Sequence, residues 1–353
     1  MIKNSFIIIA LFNYISALIG YPAQFVKRLL IISGLLCAVA ISMGQDPQLT
    51  HFYSAPLYLA PSFAGATQEH RIASTYRNQW PGIPNSKFVT YMFSYDHYFA
   101  NFNSGVGVLV MRDVAGSGNL STTNIGIQYS YDIKLSDFYH LRPGVHFNFT
   151  QTGLNFNDLL WGDQLSPSGN TTQTIEIPLD RSYPDVDFGT SVLFYGEGMW
   201  FGLDVAHLLR PNISLYKNVE ERQNIKYSLF GGYRIIKNSH LLKPVDEALS
   251  TAFLFKRQGI INQLDLGIYW YKNPLVLGFW YRGVPIFNEE RLGDAIAFLV
   301  GYKIEEFSVG YSYDFTISKL LVNSHGSHEI SFIYEFTTSR KKRKRHMVPC
   351  PEF

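Results

Sequence analysis

His325-Gly-Ser-His328 places two imidazoles three residues apart with a hydroxyl between them. Such a run could ligate a metal or serve a serine hydrolase. A zinc site needs four ligands, or three and a water, and a hydrolase needs its base oriented by a third group. Glu329 is the one acid nearby, and a turn leading into a strand accounts for the run more simply. Asp158 and Asp163 could hold calcium on a loop, but their spacing is not that of an EF-hand, and a structured loop suffices. Gly105-Val-Gly107 and Gly116-Ser-Gly118 suggest phosphate loops. No strand–loop–helix unit surrounds them, so they read as strand glycines where backbones pack closely, and as a hairpin turn. Cys37 lies in an apolar leader and Cys350 near the C-terminus, which gives neither a disulfide nor a metal framework. Asp132, Lys134, Asp204, Arg234 and Arg282 fall on polar strand faces, where they could line a pore or form internal salt links. No catalytic residue, metal or cofactor is expected.

The elements that carry these residues are strands. Ile125, Ile127, Tyr129, Tyr131 and Ile133 alternate with Gly126, Gln128, Ser130, Asp132 and Lys134. Successive side chains of a strand point to opposite faces, so one face is apolar and aromatic and the other polar. Val145, Phe147 and Phe149 repeat the pattern, as do Val309, Tyr311, Tyr313 and Phe315, and Ile330, Phe332, Tyr334 and Phe336. About fourteen such segments run between residues 70 and 336. Each is close to the ten residues that cross a bilayer as a tilted strand, and single-chain bacterial barrels favour an even number. The expected fold is all-β: a transmembrane antiparallel β-barrel of about 14 strands in the outer membrane. Charged residues make up 16% of the chain against about 25% in ordinary soluble proteins. Aromatics reach 16%, which suits interfacial girdles, and the net charge of +2 selects no partner.

Lys27-Arg28 precede an apolar run from Leu29 to Met43, followed by small and polar residues. That is the charged, apolar and cleavage pattern of a secretory leader, too short to favour a spanning helix. A second apolar stretch at Phe6–Leu18 suggests a mis-assigned start within residues 1–44. Residues 45–68 carry Pro47, Pro56 and Pro61 among Phe52, Tyr53, Tyr58 and Phe63, and read as a periplasmic entry segment packed in or under the barrel mouth. The barrel is expected over 69–337 and a basic periplasmic tail over 338–353, whose Arg340–Arg345 run is a solvated block of like charge. With the N-terminus periplasmic, the longest connections, near 155–182, 209–225 and 283–293, all fall outside, as they do in outer-membrane barrels.

A series of short motifs adds a resemblance. Gln45-Asp46-Pro47-Gln48, the Tyr53–Leu59 and Pro61–Gly65 runs, Tyr76-Arg77-Asn78-Gln79-Trp80-Pro81 and Tyr91–Asp96 come in order. Trp161-Gly162-Asp163-Gln164, His207–Asn212, Tyr311–Phe315, Gly326–Ser331 and Cys350-Pro351-Glu352-Phe353 follow. Together they resemble the PorP/SprF family of outer-membrane proteins of the type IX secretion system in Bacteroidetes. Glu352 departs from the family, whose closing motif more often has a basic residue there. The resemblance implies secretion of proteins to the cell surface, or anchoring of adhesins in gliding species. It implies as partners the periplasmic ring proteins, a peptidoglycan-binding lipoprotein and the C-terminal domain of secreted cargo. It marks Gln45, Asp46, Pro47, Tyr53, Arg77, Asn78, Gln79, Trp80, Trp161, Asp163, Cys350 and Phe353 as candidates for partner contact. The rival class is a transport barrel for hydrophobic or small solutes.

Overall fold

The computed structural model describes residues 46–155, 159, 164–166, 169–170, 182–215, 220–239, 245–284, 295–317 and 325–336. The leader, the basic tail, Gln45, Asp158, Trp161, Asp163, Cys350 and Phe353 lie outside the described residues.

The described residues form seventeen strands, the long ones alternating with period two. In chain order they are β1 (His70–Gln79), β2 (Lys87–Phe99), β3 (Ser104–Gly116), β4 (Leu120–Tyr131), β5 (Ile133–Lys134) and β6 (His140–Gly153). Then come β7 (Leu165–Ser166), β8 (Gly169–Asn170), β9 (Ser182–Tyr195), β10 (Met199–Ala206), β11 (Lys226–Ser239) and β12 (Val245–Gln258). The last are β13 (Ile261–Lys272), β14 (Leu275–Arg282), β15 (Ala295–Ile304), β16 (Phe307–Thr316) and β17 (Ser327–Phe336). β7 and β8 pair only with each other, and β5 is a short continuation of β4. The other fourteen form the wall. Each is antiparallel to its neighbour, β4 pairs with β6, β6 with β9, and β1 with β17 from His70↔Phe336 to Gln79↔Ser327. That last ladder closes the sheet, so no wall edge is left to pair with another chain.

The faces are inverted relative to a soluble protein. Ile125, Ile127, Tyr129, Tyr131 and Ile133 are exposed on the outside, while Gln128 and Ser130 between them are buried inside. Asp96, Arg142, Asp187, Asp314 and Glu329 are buried in the same way. A wall whose outer face is apolar and whose polar groups face inward is the arrangement lipid selects. Among the described residues no helix is long and apolar enough to cross a membrane; this chain crosses with strands.

Two sequence expectations change. The alternation from Ile125 to Lys134 implied one strand, but the strand breaks at Asp132, whose N–H donates to the carbonyl of Asn103 in the β2–β3 turn. Past that break Lys134 is exposed and pairs with Asp137, so it does not line the lumen. Asp132, Asp204 and Arg282 are buried as expected.

Candidate functional site: a plug threaded through the barrel

Residues 45–68 were expected as a periplasmic entry segment packed in or under the barrel mouth. The described part, residues 46–68, packs inside the barrel and runs from one mouth to the other. The segment holds two 3-10 turns (Phe52–Ser54 and Pro61–Phe63) around one α-helical turn (Pro56–Leu59). Nearly every residue from Leu49 to Thr67 is buried. Its prolines explain the short turns: Pro56 and Pro61 each open one, where a missing N–H costs nothing.

The two mouths of the barrel differ, and the plug reaches both. β1 begins and β17 ends at the mouth with short connections; Ala206, Lys226, Gln258 and Arg282 lie at the mouth with long ones. At the long-loop mouth the Asp46 carboxylate accepts from Lys226 (2.6 Å), Gln223 (2.8 Å), His207 (2.9 Å) and Gln258 (3.2 Å). His207 donates its other ring nitrogen to Asp187 at 2.8 Å, so it bridges two carboxylates in its charged form. Burial disfavours charge on Asp46, but His207 and Lys226 hold its carboxyl well below the usual carboxylate range. Burial likewise disfavours the imidazolium of His207, yet Asp46 and Asp187 raise it to about 9.

One layer further in lies a buried ionic net. Arg77 of β1 pairs with Asp314 of β16 (2.7 Å) and Glu329 of β17 (3.1 Å), and Arg282 of β14 pairs with Asp314 (2.6 Å). Two guanidinium groups thus face two carboxylates, and the plug completes the net. The N–H groups of Thr50 and His51 donate to Glu329 at 2.8 and 2.9 Å, and the Thr50 hydroxyl donates to Asp314 and accepts from Arg77. Gln48 accepts from Arg282.

At mid-lumen the contacts are aromatic. Phe52 meets Trp280 edge-on at 4.9 Å, Phe63 packs on Phe230 at 5.6 Å, and Tyr53 accepts a 3.0 Å hydrogen bond from Trp200. Burying side chains of this size contributes about 1.5–3 kcal/mol each.

Near the short-loop mouth the wall satisfies the plug's backbone. A chain without regular ladders must find partners for its buried N–H and C=O groups. Here Gln128 donates to the Leu57 carbonyl (2.8 Å), Ser130 and Arg142 to Ala64, and Arg71 to Phe63 (3.1 Å). Ser191 accepts the Ser62 N–H at 2.9 Å and Asp96 that of Gly65 at 2.7 Å. Wall glycines let the plug approach. A Cβ on Gly105 would lie 1.9 Å from the Ala64 carbonyl oxygen, and one on Gly144 would lie 2.4 Å from the Ser62 nitrogen. Close backbone approach at Gly105 was expected from the sequence, but the approaching chain is the plug.

Four of the candidate residues therefore meet in one structure. Asp46, Pro47, Tyr53 and Arg77 are plug or plug-contacting groups; the Pro47 carbonyl accepts from Tyr58. Asn78 and Trp80 do not join them. Asn78 is a half-buried residue of β1, and Trp80 sits past the strand's end, against Phe88 and bonded through its N–H to Gly326. Gln79 is the last residue of β1, opposite Ser327. His325 stands at positive φ in the turn before β17, and His328 bonds the Tyr311 hydroxyl. Among the described residues no group of three or more His, Cys, Asp or Glu side chains could hold a metal. The sequence did not mark Thr50, His51, Lys226, Asp314 or Glu329 as functional. A polar residue at an inward strand position was the signal available for Lys226, and Asp314 and Glu329 also fall in the Tyr311–Phe315 and Gly326–Ser331 motifs. The segment fills the lumen and is held through charge at Asp46, its first described residue.

Among solved structures, the Acinetobacter baumannii outer membrane protein Omp33 is similar at 9% identity, with a TM-score of 0.41, over 76% of this chain and 100% of that one. The P. putida toluene transporter TodX matches at 10% identity and a TM-score of 0.43, over 79% and 93%. The KdgM porin matches at 10% and 0.34, over 75% and 99%. No curated protein sequence matches the chain. The family model described as type IX secretion system membrane protein PorP/SprF matches residues 41–334, and the chain belongs to that family.

Proposed function

We propose that this outer-membrane barrel is an accessory or anchoring component of type IX secretion, supporting the export or surface retention of cargo such as adhesins. In gliding cells that role links it to motility. It reaches its membrane through a cleaved leader. Its partners are the periplasmic ring proteins, the peptidoglycan-binding lipoprotein of the system and the C-terminal domain of the cargo. The observation that carries the reading is the family match across the wall and the plug together. A lumen filled by the chain's own residues supports an interaction role over a standing solute channel, and the role requires no catalytic step.

Deleting the gene tests this. Adhesin should disappear from the surface fraction and accumulate in the cell, with recovery on complementation. Unchanged secretion and display would refute it. In liposomes the purified barrel should show little swelling with small sugars; rapid swelling would favour the transport reading.

A further inference from the structure

The plug enters the barrel at the mouth opposite to the one where the wall begins and ends. Asp46 is held by His207 beyond the end of β10, by Lys226 at the start of β11 and by Gln258 at the end of β12. Gly65 is held by Asp96 and Arg142, near the other mouth, just before β1 begins at His70. There His70 pairs with Phe336, the last residue of β17. The two ends of the described chain therefore open at opposite mouths.

Loop lengths say which mouth is which. The connections at the mouth of Asp46 include 154–181, 207–225, 283–294 and 317–326; at the other mouth none is longer than 132–139. Outer-membrane barrels keep short turns on the periplasmic side and long loops outside. We infer that the mature chain carries its N-terminus on the cell-surface side, beside His207 and Gln223, and its C-terminal tail in the periplasm. An outside partner then meets a polar chain end seated between loops, while periplasmic partners meet the short turns and the basic tail.

The inference rests on removal of the leader by hydrolysis of a peptide bond near residue 45. It also orders assembly. A leader still held in the inner membrane would have to run back through a lumen that the plug already fills, so cutting precedes the seating of Asp46. The placement does not depend on what the protein secretes.

The test uses single cysteines in a Cys350→Ser chain expressed in intact cells. Gln45→Cys should react with a membrane-impermeant maleimide without permeabilisation, whereas Glu306→Cys, in the β15–β16 turn, should react only after the outer membrane is opened. A separate chain with an epitope tag directly before Gln45 should bind antibody on whole cells, with heat-modifiable mobility confirming a folded barrel. Protection of the folded, tagged N-terminus until permeabilisation, or labelling of both cysteines from the same side, would overturn the inference. Adhesin display in the same cells scores the secretion role independently.

Discussion

Asp46→Asn should loosen the plug by about two orders of magnitude. The carboxylate sits between two cations, Lys226 at 2.6 Å and His207 at 2.9 Å, and its side chain is 13% exposed. Removing one partner of a buried ion pair costs about 3–5 kcal/mol, because the remaining charge is left in a poorly solvated site. Asparagine keeps the shape and some hydrogen bonding, which places the cost near about 3 kcal/mol, a factor of roughly 150 in the seated-to-released ratio. The assay is single-channel recording in a planar bilayer, scored as opening probability. A staple supplies the control. Ser62→Cys with Ser191→Cys sits where the Ser62 N–H donates to the Ser191 hydroxyl at 2.9 Å, and oxidation should abolish the added openings. The proton dependence follows the same contacts. Asp46 and Asp187 together raise His207 from 6.5 to about 9, and only the Asp46 share leaves with the plug, so His207's contribution to seating is lost as pH rises through about 9. Asp46 is held low, so its contribution persists until the pH falls well below the ordinary carboxylate range. Openings should therefore rise as pH climbs toward about 9 in the parent, and this rise should be lost in Asp46→Asn, where the plug presents no carboxylate to the imidazolium. An unchanged opening probability in a folded Asp46→Asn barrel, or openings that survive the oxidised staple, would refute the latch.

Two further perturbations probe different layers. Gly105→Ala puts a methyl group 1.9 Å from a plug carbonyl and should unseat the short-loop end, seen as raised conductance and protease cleavage within 46–68, while Gly198→Ala, whose nearest atom would be 3.9 Å away, should change neither. Ile127→Lys puts a charge on the outer face of β4, at a position 62% exposed, and should lower the folding free energy in lipid by about 2–4 kcal/mol, read from urea titration of the reconstituted barrel.

The wall was legible in the sequence because lipid imposes one rule on every strand. Ile125 through Ile133 had to alternate whatever they paired with, and that local period survives without knowledge of the neighbours. The strand count and the loop parity followed from the same repetition. The plug obeys no such rule. Pro47, Pro56 and Pro61 break its periodicity, and each buried group is satisfied by a residue far away in sequence: Thr50 by Glu329, Leu57 by Gln128, Asp46 by Lys226. Its aromatics announced that it would pack, but nothing local stated that it would travel the length of the lumen and so reverse the side on which its first residue lies. Lys134 failed for the opposite reason. Its alternation placed it inward, and the break at Asp132 released it to solvent.

Several of the residues that carry the family resemblance lie far apart in the sequence but meet around the plug. Asp46 bonds His207, Arg77 bonds Asp314 and Glu329, and Gly65 bonds Asp96. Each bond joins two motifs that lie apart in the chain. A barrel needing only to sit in lipid has no use for this convergence, because its outer face is indifferent to what fills the lumen. A standing pore would be obstructed by it. Buried ionic nets are weak contributors to stability, since desolvation cancels much of their attraction, but they reward one register and penalise others. Here that register is a single seat for residues 46–67, fixed by charge at one mouth and by backbone hydrogen bonds at the other. These motif residues therefore serve the seating of the plug, and their convergence favours one plugged arrangement of the lumen over an open hole.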